Sequence, residues 1–480
     1  MRRPALISLA LVSCLSEPTT APPPVAPAVA PDLAPSEPAP AYHSPGGALL
    51  ESKEVDGWVE RAPSRPASAP DAGLDLGELS GGGGLGARGY GIGGGGTASG
   101  FGSLSTSGYG KGGGASSPSA APEGRIGSRA ERHRAAPTQA EPLRAARTDD
   151  NQEFSAFLEF LATWSDRPGL SDQVQRVDVS GRTWVEVRDA SGAPAPDVQL
   201  TLLSGDRVVH RARTYGDGRA PLYPSLAEGS GAWSLRVDTS DGSTMHPWTG
   251  EPVQLTSDLS APASQAVPLD VAILLDTTGS MGDEIDRIKQ TLFNVTERVK
   301  GLDRPVDLRF GAVLYRDLGD DYVTRRYPFT SDVKAFDRAL RDVTADGGGD
   351  MPESLNQGLA EVVHGLTWRE HAARVSFLVA DAAPHMDYEQ DRPYGDTALA
   401  ALAAGIRVHT VAASGLDPAG TYVFRQIAQL TRGEFIFIEY GSTEATARSH
   451  GVSGAEQRTS NNLDQILFER IAAEVEGWRR

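Results

Sequence analysis

Three oxygen-bearing side chains stand at alternate positions in Asp276-Thr277-Thr278-Gly279-Ser280: the carboxylate of Asp276 and the hydroxyls of Thr278 and Ser280. Such a set is hard and lightly charged. It suits Mg²⁺ or Mn²⁺, which take few protein ligands and keep several waters. An aspartate at the end of a strand also often caps the next helix, so Asp276 alone is open to that reading. Softer-metal chemistry finds no pattern. His385 has no His or Cys neighbour at ligand spacing, and the nine histidines form no His-Glu-x-x-His pair. No serine sits in a Gly-x-Ser-x-Gly elbow.

The elements that must hold these residues can be read from periodicity. Val271 to Leu275 is a continuous apolar run, as in a strand buried on both faces, and it stops at Asp276. Ile285, Ile288, Leu292, Val295 and Val299 then recur at helical steps. Asp276, Thr278 and Ser280 are therefore expected on a strand-to-helix loop, where open α/β sheets bind ligands. A second strand is expected at 306–315 and an antiparallel edge strand at 322–327. Helices are expected at 333–340 and 354–364. A buried strand at 375–380 ends at Asp381. Helices at 397–404 and 422–430 alternate with strands at 406–411 and 435–438, and a last helix carries Leu463, Ile466, Leu467, Ile471 and Val475. This alternation predicts an α/β fold with a doubly wound, Rossmann-like, mostly parallel sheet.

Asp276-Thr277-Thr278-Gly279-Ser280 resembles the Asp-x-Ser/Thr-x-Ser motif of the von Willebrand factor type A (vWA) family, where it forms the first loop of a metal-ion-dependent adhesion site (MIDAS). Two later stretches, Gly347-Gly348-Gly349-Asp350-Met351-Pro352-Glu353 and Asp381-Ala382-Ala383-Pro384-His385, resemble the second and third loops in one branch of that family, as does Tyr315-Arg316-Asp317. The three loops occur in the expected order. The resemblance implies a vWA domain over 267–480, with Asp276, Thr278 and Ser280 as first-loop metal ligands and Asp381 binding directly or through water. The second-loop ligand is usually a threonine; here the matching loop offers Asp350. A further carboxylate would make the cation less electrophilic toward an acidic partner. His385 reads as a loop residue or a support behind the ligands.

The chain has 480 residues and a formal net charge of -18, which argues against a nucleic-acid partner. Its N-terminus has a basic start and a short apolar core, and Leu11-Val12-Ser13-Cys14 resembles a bacterial lipobox. On that reading residues 1–13 are a signal peptide and Cys14, the sole cysteine, carries a lipid anchor in the cell envelope. Leu15 after the cysteine favours the outer over the inner membrane. Residues 14–150 read as a disordered tether, rich in Pro and Ala and then in Gly. Its glycine runs lack the Gly-Lys-Ser/Thr of a phosphate loop. Arg125, Arg129, Arg132, Arg134, Arg144 and Arg147 read as a solvated basic patch within it.

Residues 151–266 read as a short helix followed by a small antiparallel β-sandwich, with strand-like runs at 183–187, 198–202, 208–209, 233–237 and 253–255. Val185-Glu186-Val187-Arg188-Asp189-Ala190-Ser191-Gly192-Ala193-Pro194 resembles carboxypeptidase-regulatory-like or transthyretin-like modules. Together these features imply a lipid-anchored envelope protein, not an enzyme, whose metal site binds a protein partner through that partner's Asp or Glu. One alternative is Mg²⁺-dependent phosphoryl transfer with Asp276 as nucleophile, since the motif is near the Asp-Lys-Thr-Gly-Thr of aspartyl-phosphate ATPases. Thr278 stands where related phosphatases place a second acid, which disfavours it. Another alternative is a degenerate scaffold that binds no metal.

Overall fold

A computed structural model describes residues 142–480 except 228–231, 241, 258–265, 350, 453, 455–456 and 479–480, together with the backbone of two short strands at 52–55 and 58–61. The signal peptide, Cys14, most of the tether and Asp350 lie outside the described residues.

In chain order the elements are β1 (Ser52–Val55), β2 (Trp58–Arg61), β3 (Arg144–Thr148), α1 (Phe154–Ser165), β4 (Thr183–Arg188), β5 (Gln199–Ser204), β6 (Arg207–Arg213), β7 (Arg219–Leu222), β8 (Trp233–Thr239), β9 (Gly242–Trp248) and β10 (Val253–Thr256). There follow β11 (Val267–Asp276), α2 (Ile285–Val299), β12 (Val306–Tyr315), β13 (Thr324–Thr330), α3 (Val333–Arg341), α4 (Leu355–Ala360), β14 (Ala373–Ala380), α5 (Tyr394–Ala404), β15 (Ile406–Ala412), α6 (Pro418–Leu430), β16 (Phe435–Ile438), α7 (Thr443–Ser449), β17 (Thr459–Asn462) and α8 (Leu463–Gly477).

The large sheet is mostly parallel at its centre. Its strand order is β1-β2-β13-β12-β11-β14-β15-β16-β3-β17, and β12, β11, β14, β15 and β16 run parallel. The chain leaves β11 toward β12 on one side and returns to β14 on the other. A crevice therefore opens beyond the carboxyl ends of β11 and β14, where the strand order reverses. Strand β11 shows why these residues form a central strand. Ala272 and Leu274 point into one core, and Val271, Ile273 and Leu275 point into the other. Alternate side chains of a strand face opposite ways, so a strand covered on both faces must be apolar at every position.

The β-sandwich comprises a three-stranded sheet, β10-β4-β7, and a four-stranded sheet, β6-β5-β8-β9. It departs from the all-antiparallel expectation, because β10 pairs with β4 in parallel. Its core is continuous with that of the α/β part: Val185, Leu200 and Leu235 share one cluster with Leu274, Phe424 and Leu430. Helix α6 lies in this shared core and is buried on every side from Ala419 to Leu430. Most of its polar groups are matched, the Gln429 side-chain oxygen being an exception. Arg425 pairs with Asp150 at 2.6 and 2.9 Å, Gln426 accepts from the Tyr394 hydroxyl, and Gln429 donates to the Tyr223 hydroxyl.

Residues 144–148 correct the reading of that stretch as solvated linker. They form β3, inserted antiparallel between β16 and β17, with Ala145 and Ala146 fully buried. Arg147 reaches Glu434 at 2.8 Å. The Ala-rich strand carries a single β-branched residue, Thr148 at its end, so its neighbours on both sides do most to define it.

Candidate metal centre at the carboxyl end of the sheet

Three loops meet at the crevice and are stitched by backbone hydrogen bonds. Gly279 N donates to Gly347 O at 3.0 Å, and Asp346 N donates to Thr277 O at 3.0 Å, tying the first loop to the second. Glu353 N donates to Ala383 O, and His385 N donates to Glu353 O, both at 3.0 Å, tying the second to the third. Gly348 permits the closest approach. Its φ is +60°, and a Cβ there would lie 2.6 Å from Glu353 Oε1 and 2.8 Å from Thr278 Cβ. Only glycine meets both demands without strain.

The structure brings four of the five sequence-derived residues together. Asp276 ends β11 and is fully buried. Its Oδ1 accepts from Thr278 N at 2.9 Å and from Thr278 Oγ1 at 2.7 Å. This is a turn closed on the next loop, not a cap on α2. Thr278 Oγ1 lies 3.1 Å from Ser280 Oγ, and Ser280 Oγ donates to Asp381 Oδ1 at 3.0 Å. Ser280 is exposed, so the chain of oxygens runs from a buried carboxylate to solvent. The position of Asp350, the fifth, is outside the described residues.

Among the described residues Asp276 Oδ2 is buried without a hydrogen-bond partner of ordinary geometry. A comparison along the same strand shows how unusual that is. Asp270, also fully buried, sits near the opposite end of β11. Arg309 contacts it at 2.9 and 2.6 Å, and Arg369 donates from its Nε and backbone N at 2.9 Å each. Among the described residues no such cation pairs with Asp276. Burial, and then Asp381, push its carboxyl up to about 7. Burial likewise raises Asp381. The Tyr315 hydroxyl, opposite Asp276 in register, is buried and interacts with the Asp276 carboxylate; burial, and then the charges of Asp276, Glu353 and Asp381, raise it.

Behind these lie further residues, of which the sequence reading gave a part only to His385, as a loop residue or a support. Asp317 accepts from Ser354 Oγ at 2.8 Å and from the Tyr388 hydroxyl at 3.0 Å. Asp320 Oδ2 accepts from Gly348 N at 2.9 Å and Asp317 N at 3.1 Å, bracing the second loop. His385 stacks on Tyr388 with centroids 3.9 Å apart, and its Nδ1 lies 2.8 Å from Asp387. Glu353 is buried and its carboxyl is pushed up to about 9, by burial first and then by Asp276, Asp317, Asp320 and Asp381. The signal for Asp317, Glu353 and His385 was their place inside the quoted motifs; Asp320 and Tyr388 lie outside them.

Among the described residues no three His, Cys, Asp or Glu side chains converge in the manner of a carboxylate- or imidazole-rich metal cage. What converges is two carboxylates, Asp276 and Asp381, with two hydroxyls. Such a set could hold a small hard cation that keeps waters and leaves a position open.

Residues 270–446 match the von Willebrand factor type A domain. The vWA match therefore spans the strands and loops that carry Asp276, Thr278, Ser280 and Asp381. Among curated proteins, the chain is 24% identical over 221 residues to the alpha-protein kinase vwkA of Dictyostelium discoideum, covering 44% of this chain and 34% of the relative. It is 30% identical over 125 residues to a putative ariadne-like RING finger protein of Acanthamoeba polyphaga mimivirus, covering 25% of this chain and 12% of that protein. The chain thus spans well under two thirds of either relative. Among solved structures it is similar to the conserved hypothetical protein BatB from Bacteroides thetaiotaomicron, at 14% identity and TM-score 0.28, covering 39% of this chain and 96% of that one. It is also similar to proximal thread matrix protein 1 of the mussel byssus, at 11% identity and TM-score 0.30, covering 44% and 55%. At the family level the vWA match supports a protein-interaction or scaffold role.

Proposed function

We propose that the crevice binds Mg²⁺ or Mn²⁺ and presents it to an Asp or Glu carboxylate of a protein partner. Asp276, Thr278 and Ser280 would hold the cation, with Asp381 binding directly or through water. When bound, the cation supplies an electrophilic position that a partner's carboxylate can complete. The observation that carries the reading is Asp276 Oδ2: a carboxylate oxygen buried, among the described residues, without a hydrogen-bond partner of ordinary geometry, beside a second acid and two hydroxyls. A buried charge left unpaired costs several kcal/mol, on the order of the penalty for breaking a buried ion pair. A divalent cation removes that cost. The site is read as non-catalytic. The activity in the first relative's name belongs to a protein of which this chain matches 34%.

Calorimetric titration of Mg²⁺ and Mn²⁺ into the chain tests this, alongside Asp276→Ala and Asp381→Ala. One-site binding that both substitutions abolish, and partner capture that a chelator reverses, is the expected result. Absence of binding in the parent would leave a scaffold domain. Mg²⁺-dependent phosphatase activity lost in Asp276→Asn would favour phosphoryl transfer instead.

The placement we propose is the bacterial cell envelope, outer membrane rather than inner, with the vWA domain carried on a tether from a lipid at Cys14. Cys14→Ser is then expected to move the protein from the membrane to the soluble envelope fraction. Unchanged fractionation would remove the anchor from the proposal.

A further inference from the structure

We propose that a cavity beside the crevice receives a Lys or Arg side chain of the protein partner, so that the partner carries a basic residue close to its acid; this deepens the partner reading above and rests on it. The cavity has a volume of about 400 Å³. Met351, Pro352, Pro384 and Met386 give it apolar wall, and Asp172, Asp387 and Asp417 give it carboxylates. It adjoins the crevice through the third loop. Asp381 and Pro384 are three residues apart, so their Cα atoms lie within about 11 Å of each other. Part of the lining is particular to this chain: Asp172 and Gln173 follow α1, whereas the vWA match begins at residue 270.

The three acids find only short local partners. Ser171 Oγ donates to Asp172 Oδ1 at 3.1 Å, Gly420 N donates to Asp417 Oδ1 at 2.7 Å, and His385 Nδ1 lies 2.8 Å from Asp387 Oδ1. Among the described residues no Lys or Arg lines the cavity or forms an ion pair with any of the three. Apolar wall beside carboxylates fits a side chain that is apolar along its stem and cationic at its tip. A hydrogen bond between two charged groups is also the stronger kind. A metal ion fits less well, because no three His, Cys, Asp or Glu side chains among the described residues are placed to hold one. An acidic partner group would meet like charge here, so the cavity and the crevice select opposite charges and fix which way round the partner docks. Met351 is 55% exposed. A flexible thioether at the rim can adapt to the stem of either basic residue.

The test uses the full chain with ¹³C at its methionine methyls, which number five. Met351→Leu and Met386→Leu assign the two signals at the cavity. The probes are N-acetyl-arginine amide, N-acetyl-lysine amide and, as the neutral control, N-acetyl-norleucine amide. Both basic amides are expected to shift Met351 and Met386 saturably while Met245, on β9, stays in place. The norleucine amide should bind roughly tenfold more weakly, and Asp172→Asn combined with Asp387→Asn should weaken the basic amides roughly fivefold. Both acids are exposed, and a parent-like Tm checks that the double variant is folded. Equal shifts from the norleucine amide would reduce the cavity to an apolar cleft and overturn the inference. Undiminished binding in the double variant, or no saturable shift in the parent, would overturn it too. Mg²⁺ calorimetry on the same sample separates the two readings. Mg²⁺ binding without arginine shifts overturns this inference alone, and arginine shifts without Mg²⁺ binding support the cavity and overturn the cation reading alone.

Discussion

Asp276 and Asp270 lie on one strand and are equally buried, yet their surroundings differ in kind. Two arginines satisfy Asp270, whereas Asp276 shares its space with acids and hydroxyls. Asp276→Asn should therefore have two opposite effects. It should abolish the Mg²⁺-induced rise in Tm, and without cation at pH 8 it should stabilise the fold by about 1–3 kcal/mol, the usual size of an unsatisfied buried group. Asn keeps the Oδ1 that accepts from Thr278. A melting curve with and without Mg²⁺ reads both effects, and a cation-free loss of stability would contradict the account. Gly348→Ala tests the loop packing. A Cβ at φ +60° beside Thr278 and Glu353 is expected to cost about 1–3 kcal/mol and to weaken cation binding by displacing Thr278.

Among the elements, α6 depends most on its context. The β-sandwich, α1 and the large sheet cover it from different sides, so its polar residues must find partners inside the protein. Arg425 is 4% exposed, and its two hydrogen bonds to Asp150 join α6 to the segment just after β3. Arg425→Ala leaves Asp150 buried and uncompensated, and about 3–5 kcal/mol of destabilisation is expected. Chemical denaturation would show it as a lower midpoint. Replacing both partners with apolar residues of similar size should recover much of the loss, which separates the penalty of an orphaned charge from the net worth of the pair.

Across the described residues the β-sandwich and the α/β part share one core, and charged groups bridge them, with Asp197, Arg374 and Glu474 buried. Asp197 accepts from Arg374 at 2.9 Å, Asp217 pairs with Arg432 at 2.7 and 2.8 Å, and Glu474 Oε1 accepts from Gly216 N at 2.8 Å. The two parts are expected to melt in one transition by scanning calorimetry; two separated transitions would contradict the shared core. Acid should destabilise this unit through its buried histidines, His210, His409 and His450, of which burial lowers His409 well below its ordinary value. His210 Nε2 accepts from Tyr223 N at 2.9 Å, and His450 packs between Phe435, Phe437 and the Thr421 hydroxyl. Burial lowers each of these two to about 4, with Arg425 adding to the effect on His450. The unfolded chain therefore takes up protons first, near pH 6.5. The stability of the neutral forms is complete above that value and is lost as the pH falls toward 4, by roughly 3 kcal/mol per histidine at most. His210→Gln should flatten the fall in Tm between pH 7 and pH 4.5 relative to the parent.

The α/β class and the order of strands and helices were legible in the sequence, because strands buried on both faces must be apolar at every position and amphipathic helices repeat every 3.6 residues. Asp276, Thr278 and Ser280 were legible for a similarly local reason: they lie within five residues of one another on one loop. Tertiary structure decided the rest. Strand β3 has little strand signal of its own and lies between β16 and β17. Strands β7 and β9 were hidden by Pro221 and Pro247, residues that normally argue against strands. The burial of Glu353 beside Thr278 depends on a backbone bridge between two loops and a glycine with no Cβ. Short-range patterns fix which element a residue joins, but a charge's solvation depends on every element that closes over it, and those come from distant parts of the chain.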